Sequence, residues 1–209
     1  QVMIDNDYFV IRLGQGKYKF IKGINNYYHP FEKINNIKIW SYKKNILDEL
    51  NTSESNILSV INNQGIIQDF LYSDRREIPN VYNAHRTSHT FKYRLRENEI
   101  ECDQMQIEID LTLESRGRIT VFEAKNKFSE DFAKYQIYFP FRKYYDEYID
   151  GKIKLTNLRD IFEIDSCYVQ RKEVDGISLI RMYLYTFTEK EDICSIELKD
   201  SCEYRLTPN

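Results

Sequence analysis

Alternating apolar and polar residues predict β-strands near the start of the chain. Tyr8–Leu13 and Lys17–Ile21 are β-prone runs on either side of a Gly-Gln-Gly sequence, and this arrangement predicts a hairpin. Neither a third glycine nor a helical pattern follows, so a turn is favoured over a phosphate-binding loop and no nucleotide cofactor is expected. Ile37–Trp40 is predicted to be a further short strand.

The apolar period then changes from two residues to that of a helix. Tyr42–Leu50 is predicted to be helical, and a second helix is predicted through Ile57 and Ile61. Gly65 suits the left-handed position that ends a helix, and Ile66–Leu71 is predicted to be a third short helix. Helices beside a hairpin resemble a small winged-helix arrangement, although packing of these helices against the main domain is the favoured interpretation.

A polar segment at Ser73–Thr90 is predicted to be irregular, because it contains Pro79 and several asparagines. It is the expected boundary between an N-terminal segment, residues 1–72, and a core, residues 73–209. The N-terminal segment would then contain the hairpin and the helices. From Phe91 onward the alternation of apolar and charged residues again predicts a strand.

The centre of the core is predicted to be a hairpin followed by a helix. Gln106–Leu111 and Ile119–Ala124 both alternate, and the turn between them contains Gly117, so the two strands should pair antiparallel. Ser129–Ile149 has a helical pattern with Ser129 as its N-cap, and Pro140 should kink or split that helix.

The rest of the core is predicted to be mostly strand from Ile161 to the end of the chain. Asp175-Gly176 should form a turn, and Glu189–Asp192 a charged loop. The predicted fold class is therefore α+β, with a mixed central sheet flanked by helices.

Composition limits the class of protein. The 209 residues are 42% hydrophobic and 14% aromatic, which argues against disorder, and the formal net charge of −3 gives no sign of nucleic-acid binding. No apolar stretch approaches the roughly 20 residues that span a membrane. The four cysteines form no Cys-x-x-Cys pair and no export signal is visible, so reduced thiols in a cytoplasm are expected. The Ile-, Asn-, Lys- and Tyr-rich composition suggests a bacterial source, and the absence of an initial Met is consistent with a preceding segment.

The candidate chemistry lies on the central hairpin. Gln106, Glu108 and Asp110 share one face of the first strand, and Glu123 and Lys125 share one face of the second. If the strands pair, the two carboxylates Asp110 and Glu123 lie side by side, where a cation such as Mg²⁺ would relieve their repulsion. Such a metal with a neighbouring lysine suits hydrolysis of a phosphodiester. Acid-x-Lys on a strand is also common on solvated faces, where it forms cross-strand ion pairs.

The wider sequence around these residues resembles a known group. Ile109-Asp110 and Glu123-Ala124-Lys125 are similar to the motif of the PD-(D/E)XK nuclease superfamily, with Ile in place of the usual Pro. Phe122–Asn126 and the run from Asp131 to Arg142 resemble one branch of the type II restriction endonucleases. The run Arg86–Tyr93 is similar to an Arg- and Ser-containing strand entry in that branch, with His89 where Gly is usual. The resemblance covers roughly residues 85–145.

This resemblance implies Mg²⁺-dependent cleavage of double-stranded DNA at specific sequences by a homodimer. Asp110 and Glu123 would bind the metal and Lys125 would be the catalytic lysine. Gln106 and Glu108 would be additional ligands or would support the ligands. Gln136 would contact the metal-bound water or a phosphate, although a capping or core amide is an equally good interpretation.

Several polar residues are candidates for DNA contacts. The residues expected to bind DNA are Arg75, Arg76, Arg86, Ser88, Lys92, Asn126 and Arg142, and of these Arg86, Ser88, Lys92 and Arg142 are expected to contact the DNA backbone. Asn62, Asn63, Gln64 and the two arginines at 75 and 76 are candidates for reading bases. A solvated basic edge strand explains the cluster around residue 86 equally well.

Three alternatives to this assignment remain open at the level of sequence. His85 and His89 are spaced as zinc ligands on a helix would be, but the pattern there is strand and no third ligand is evident. A structure-selective repair or resolving nuclease would use the same acidic residues. A non-catalytic DNA-binding module would use the helical segment at residues 42–71 instead.

A DNA enzyme with a net charge of −3 also requires that its basic residues gather locally around the acidic pocket.

Overall fold

The computed structural model describes residues 5–23, 27–42, 54–72, 77–155, 157 and 160–208. The helices in these ranges are α1 (Glu54–Asn63), α2 (Ile66–Leu71) and α3 (Tyr135–Ile149). The strands are β1 (Tyr8–Gly14), β2 (Lys17–Lys22), β3 (Tyr28–Pro30), β4 (Ile37–Tyr42), β5 (Asn80–Leu95), β6 (Asn98–Ser115), β7 (Arg118–Lys125), β8 (Asp131–Ala133), β9 (Glu163–Val174), β10 (Ile177–Phe187) and β11 (Ile196–Pro208).

One mixed sheet organises the molecule, in the order β2-β1-β6-β7-β9-β10-β11-β4, with β5 paired to β6 outside this path. β7 pairs parallel to β9 and β4 pairs parallel to β11, whereas the hairpins β5–β6, β6–β7, β9–β10 and β10–β11 are antiparallel. β3 and β8 form a separate two-stranded sheet. The predicted α+β class with a mixed central sheet is confirmed.

Helices cover both faces of this sheet because the central strands alternate between two apolar cores. On β7, Ile119 and Val121 belong to the core that contains the buried face of α3. Phe122 and Ala124 point the other way and pack in the core formed with α1 and α2. Buried strands of this kind need an apolar layer on each side, which the helices provide. None of the helices in the described ranges is long and apolar enough to cross a membrane.

The N-terminal elements are joined to the core sheet. The predicted hairpin is confirmed as β1–β2, the predicted strand as β4, and the two helices as α1 and α2, with Gly65 at a φ of 71° between them. β1 pairs with β6 at Gly14 and Asp103, and β4 pairs with β11. The helices pack on the sheet, as favoured from the sequence, and residues 1–72 supply strands to the same sheet as residues 73–209. The helix predicted at Tyr42–Leu50 falls, after its first residue, outside the described ranges.

The segment predicted to be irregular is a strand from Asn80 onward. Asn80 pairs with Glu114, and the ladder continues along β6 to Leu95 and Asn98. Its first nine side chains are mostly exposed, so the strand lacks the apolar alternation that predicts one. The polar composition was therefore misleading as a sign of an irregular connection.

The helix predicted from Ser129 begins six residues later, at Tyr135. Asp131–Ala133 pairs with β3, and the Phe132 ring packs 4.7 Å from the ring of Tyr168. Ser129 accepts a hydrogen bond at its Oγ from Gln170 Nε2 at 2.9 Å and is not a helix cap. Burial of one aromatic side chain in the core thus prevents an earlier start of the helix. Pro140 does not split the helix, which continues through it.

Candidate active site

The central hairpin opens into a fork. β6 and β7 pair from Ser115 and Arg118 up to Leu111 and Phe122, and beyond this pair β7 continues beside β9. The first turns of α3 lie over the opening, which holds a cavity of about 380 Å³. The polar residues that line it are Gln106, Glu108, Asp110, Glu123, Lys125, Tyr135 and Gln136. The three predicted catalytic residues, Asp110, Glu123 and Lys125, thus meet in one cavity, together with the three residues predicted to support them, Gln106, Glu108 and Gln136.

Hydrogen bonds fix the orientation of the two carboxylates. Asp110 accepts the backbone N–H of Ala124 at its Oδ2 at 3.0 Å, which ties the end of one strand to the other across the fork. Glu123 is 9% exposed, and its Oε1 lies 2.9 Å from Lys125 Nζ and 3.0 Å from Gln136 Nε2. A carboxylate that accepts hydrogen bonds from a cation on one side and an amide on the other is fixed in position by its partners.

Tyr135 is a site residue that the sequence did not suggest. It lines the cavity beside Gln136, and burial, with a further contribution from the negative charge of Glu123, raises the pKa of its hydroxyl. The hydroxyl therefore stays protonated at neutral pH and can donate a hydrogen bond. The sequence analysis missed this residue because it predicts a helix that begins at Ser129. Tyr135 lies in the first turn, over the cavity, because the helix begins at Tyr135 instead.

The donors in the cavity fit a magnesium ion. Among the described residues, no group of three or more His, Cys, Asp or Glu side chains is arranged to hold a metal ion. Mg²⁺ instead keeps several waters and is bound through one or two carboxylates and a substrate phosphate. Asp110 and Glu123, facing a cavity with room for water and phosphate, match that requirement.

Gln106 and Glu108 form the exposed wall of the cavity. Glu108 pairs with Arg86 on the neighbouring strand, with 3.1 Å between Oε1 and Nη2, and both side chains are mostly exposed. Their position suits contact with a substrate at the mouth of the cavity better than a buried role.

The predicted backbone-contacting residues on β5 differ in their distance from the cavity. Arg86 lies opposite Glu108 and Ser88 opposite Gln106 in the β5–β6 ladder, so both are at the cavity mouth. Lys92 lies beyond an irregularity in the ladder, 3.7 Å from Glu101.

The other predicted DNA contacts are scattered. Asn126 is exposed directly after β7. Arg142 is buried, pairs with Asp146 at 2.6 Å and donates to the carbonyl of Lys190 at 3.0 Å, which leaves it very little exposed surface for a phosphate. Arg75 and Arg76 lie outside the described residues. Among the predicted DNA contacts that the structure describes, Arg86 and Ser88 lie opposite residues that line the mouth of the cavity.

The two histidines considered for zinc are not brought together. Both lie on β5, where four residues span about 13 Å. His89 Nε2 is 2.9 Å from Asp146 Oδ2, and His85 Nδ1 is 3.3 Å from the carbonyl of Asn83. The strand geometry thus separates the two imidazoles.

Two of the five candidate base-reading residues lie near the cavity at the fork, and Arg75 and Arg76 fall outside the described residues. Asn62 and Asn63 line a second cavity, which also touches Asp110. The carbonyl of Gln64 accepts the indole N–H of Trp40 at 3.2 Å and faces the β4 side.

Comparison with known proteins gives a match to a family model. A family model described as "Domain of unknown function (DUF6997)" matches residues 23–205. No curated protein and no solved structure matches the chain. The matched range spans most of the chain and includes both strands of the fork and the helix over it. The chain therefore belongs to the DUF6997 domain family.

Proposed function

We propose that this protein is a Mg²⁺-dependent, sequence-specific endonuclease that hydrolyses phosphodiester bonds of double-stranded DNA, a type II site-specific deoxyribonuclease of the PD-(D/E)XK kind. The observation that carries the proposal is the convergence of Asp110, Glu123 and Lys125 in one cavity at the fork of β6 and β7. Gln136 joins them through its hydrogen bond to Glu123. A solvated strand face with chance ion pairs would need neither the cavity nor the amide from a separate helix.

The residues divide the work of hydrolysis between them. Asp110 and Glu123 would hold Mg²⁺, which when bound stabilises charge on the phosphate and makes a water molecule more acidic. Lys125 places its ammonium beside Glu123 Oε1, where it can donate to a phosphate oxygen or orient the attacking water. Gln136 holds Glu123 from the other side. The protonated hydroxyl of Tyr135 can donate at the same mouth.

The surroundings suit a duplex that approaches from the β5 side. Arg86 and Ser88 stand at the cavity mouth on an exposed strand and can contact phosphates on either side of the bond to be cleaved. A net charge of −3 is compatible with this role, because phosphate contacts act locally and are screened beyond about 10 Å. A homodimer would present one such cavity to each DNA strand.

The test is incubation of plasmids of varied sequence with Mg²⁺. We expect discrete fragments from the wild type, and a loss of cleavage of at least about a hundredfold in Asp110→Ala and in Lys125→Ala. Asp103→Ala and Lys172→Ala are matched controls, because both residues are exposed on β6 and β9 away from the cavity. These controls should cleave like the wild type.

Other outcomes would contradict the proposal in distinct ways. Intact plasmids across many sequences, with folded protein, would argue against an endonuclease. A preference for nicked or branched DNA would indicate a structure-selective nuclease that uses the same residues. DNA binding that needs no Mg²⁺ and persists in Asp110→Ala, without cleavage, would indicate a non-catalytic binding module.

A further inference from the structure

The β1–β2 hairpin presents one open face that is built from aromatic and basic side chains. Residues that alternate along a strand share a face, so the exposed residues of β1 and their partners across β2 form a single surface. We call it the hairpin face, and it consists of Tyr8 opposite Lys22, Val10 opposite Phe20, and Arg12 opposite Tyr18. The other face of the hairpin packs into the core through Phe9, Ile11 and Ile21.

The aromatic rings of the hairpin face are open to solvent. Phe20 is 64% exposed and Tyr18 is 61% exposed, although both lie in a regular strand. Single exposed apolar residues are ordinary on a protein surface, whereas a contiguous group of them marks an interaction site. Tyr8 and Val10 are also exposed and occupy the neighbouring rows, so the four side chains form such a group.

The hairpin is also basic, in a chain whose net charge is −3. Tyr8–Lys22 contains four Lys or Arg residues and no acidic residue. Lys17, near the tip, lies 3.7 Å from Asp103 on β6, which balances its charge in part. Arg12 and Lys22 lie on the hairpin face, each directly opposite an aromatic residue. This pairing of ring and cation suits a ligand that is both negatively charged and aromatic.

Charge and shape argue against other partners for this face. A second copy of the chain would bring two basic hairpins together, and lysines on an edge strand such as β2 oppose that kind of pairing. Insertion into a lipid surface requires apolar side chains that protrude, whereas the hairpin ends in Gly14-Gln15-Gly16. A nucleic-acid duplex offers phosphates, but its bases are stacked on one another and do not present their faces to protein rings.

An unpaired nucleic-acid strand has the required chemistry. Its bases stack on exposed aromatic rings with little regard to sequence, while basic side chains follow its phosphates. Successive rows on one face of a strand are about 7 Å apart, so successive bases of an extended nucleic-acid strand can rest on successive rows of the hairpin face.

We propose that the hairpin face binds single-stranded nucleic acid, with Tyr18 and Phe20 stacking on bases and Arg12 and Lys22 contacting phosphates. This binding site is additional to the cavity at the fork and does not depend on cleavage. Gly14 pairs with Asp103 of β6, about 10 Å along that strand from Gln106 in the cavity wall. The two sites are thus neighbours on one strand.

The experiment measures fluorescence anisotropy of labelled oligothymidylate and oligouridylate in EDTA, so that no metal-dependent cleavage takes place. Phe20→Leu and Tyr18→Leu keep an apolar side chain but lose the ring, and each should weaken binding by about 5- to 150-fold. Tyr18→Phe keeps the ring and is the matched control, which should bind like the wild type. Because both side chains are exposed, these variants should fold, and far-UV circular dichroism reports whether they do.

Two further measurements separate stacking from attraction between charges. A DNA oligomer of the same length without bases keeps every phosphate, and the wild type should bind it at least about fivefold more weakly than oligothymidylate. Lys22→Gln should reduce the slope of log affinity against log salt concentration by about 0.7, the value for one phosphate contact on a single strand. Lys172→Gln, exposed on β9, should leave that slope unchanged.

Several results would overturn the inference. Wild-type affinity in both leucine variants, or equal affinity for the oligomer without bases, would mean that the rings do not stack on bases. Binding to phosphatidylserine vesicles but not to oligonucleotides, or a dimer that Phe20→Leu dissociates, would assign the hairpin face to a lipid surface or to a second copy of the chain. Binding of either oligomer that depends on the rings supports the inference, and a preference between the two identifies DNA or RNA as the ligand. The measurements need neither Mg²⁺ nor Asp110, so a failure here is distinct from a failure of the proposed nuclease function.

Discussion

At the scale of single residues, the candidate site depends on one oxygen atom. Glu123 Oε1 receives both the Lys125 ammonium and the Gln136 amide, so the position of the carboxylate is set from the strand and from the helix at once. Asp110, Glu123 and Lys125 could be predicted from the sequence because alternation along a strand is a local property. Tyr135 could not, because its place depends on where the helix begins.

The role of Gln136 can be separated from that of the residues it touches. Gln136→Leu keeps the volume of the side chain but removes the donor to Glu123 Oε1, so the carboxylate loses one of its two restraints. We expect cleavage of a plasmid substrate to fall by about 10- to 100-fold, the range found when a group that supports a metal ligand is removed. The Mg²⁺ concentration needed for half-maximal rate should rise in parallel.

Lys143→Gln is the control for that experiment, because it changes an ion pair with Glu147 on the same helix, outside the cavity. It should leave both the rate and the Mg²⁺ requirement unchanged. A Gln136→Leu enzyme with wild-type behaviour would mean that Gln136 is simply a packed amide.

At the scale of elements, what could be predicted follows from sequence distance. The β6–β7 hairpin has strands close in sequence and a glycine turn, and it was predicted correctly. The start of α3 at Tyr135 was not, because it depends on pairing of β8 with β3, about a hundred residues earlier, and on packing of Phe132 against Tyr168. Such pairing leaves no periodic pattern in the segment itself.

The turn between β6 and β7 offers a test of how tightly the fork is held. Gly117 has a φ of 86°, and a Cβ placed there would lie 2.8 Å from Leu155 Cδ2 and 2.9 Å from the carbonyl oxygen of Ile161. Gly117→Ala should therefore lower the free energy of unfolding by about 2–4 kcal/mol, from left-handed strain and overpacking together. Urea denaturation measures this change.

Gly176, in the β9–β10 turn, is a matched control for this effect. Its φ is 77°, but no atom lies within 4 Å of an added Cβ. Gly176→Ala should thus lower the free energy of unfolding only by the cost of a left-handed backbone at a residue with a Cβ, about 1–2 kcal/mol. Equal losses in the two variants would mean that the contacts with Leu155 and Ile161 do not constrain the turn.

Lys199 on β11 links two carboxylates on β9 whose pKa values move in opposite directions. Its Nζ is 2.5 Å from Glu163 Oε1 and 2.7 Å from Asp165 Oδ2. The hydrogen bond from Lys199 lowers the pKa of Glu163, whereas burial outweighs the same lysine and raises the pKa of Asp165. The two groups therefore affect stability with opposite signs as pH changes.

The sign of each effect follows from linkage. Ionised Glu163 stabilises the fold above its unfolded pKa of about 4, and this contribution is lost as pH falls through the lowered folded pKa. Ionisation of Asp165 costs stability as pH rises from about 4 through its raised folded pKa. Relative to wild type, Asp165→Asn should become more stable as pH rises from acid to neutral, and Glu163→Gln less stable. The free energy of unfolding of the wild type and both variants is measured in urea at pH 3.5 and 7. The same change between the two pH values in all three proteins would contradict this assignment.

At the scale of the whole molecule, the sheet joins the two ends of the chain. β4 pairs with β11 across more than 160 residues of sequence, and β1 reaches β6, so residues 1–72 are part of the sheet that carries the fork. The sequence predicted the strands but placed a boundary near residue 72. A polar segment and a change of period resemble a domain boundary, whereas the partner of a strand is not encoded in its own pattern.

This architecture predicts cooperative unfolding, and the single tryptophan of the chain provides the probe. Trp40 lies on β4, donates to the carbonyl of Gln64 at 3.2 Å and meets the ring of Tyr204 at 5.6 Å, so its fluorescence reports the N-terminal elements and their contact with β11. Far-UV circular dichroism reports the sheet as a whole. In urea, the two signals should change at the same midpoint, because one sheet and its cores unfold together. A Trp40 transition at clearly lower urea would show that residues 1–72 unfold as an independent unit. The boundary near residue 72 would then separate two units of different stability, even though strands pair across it.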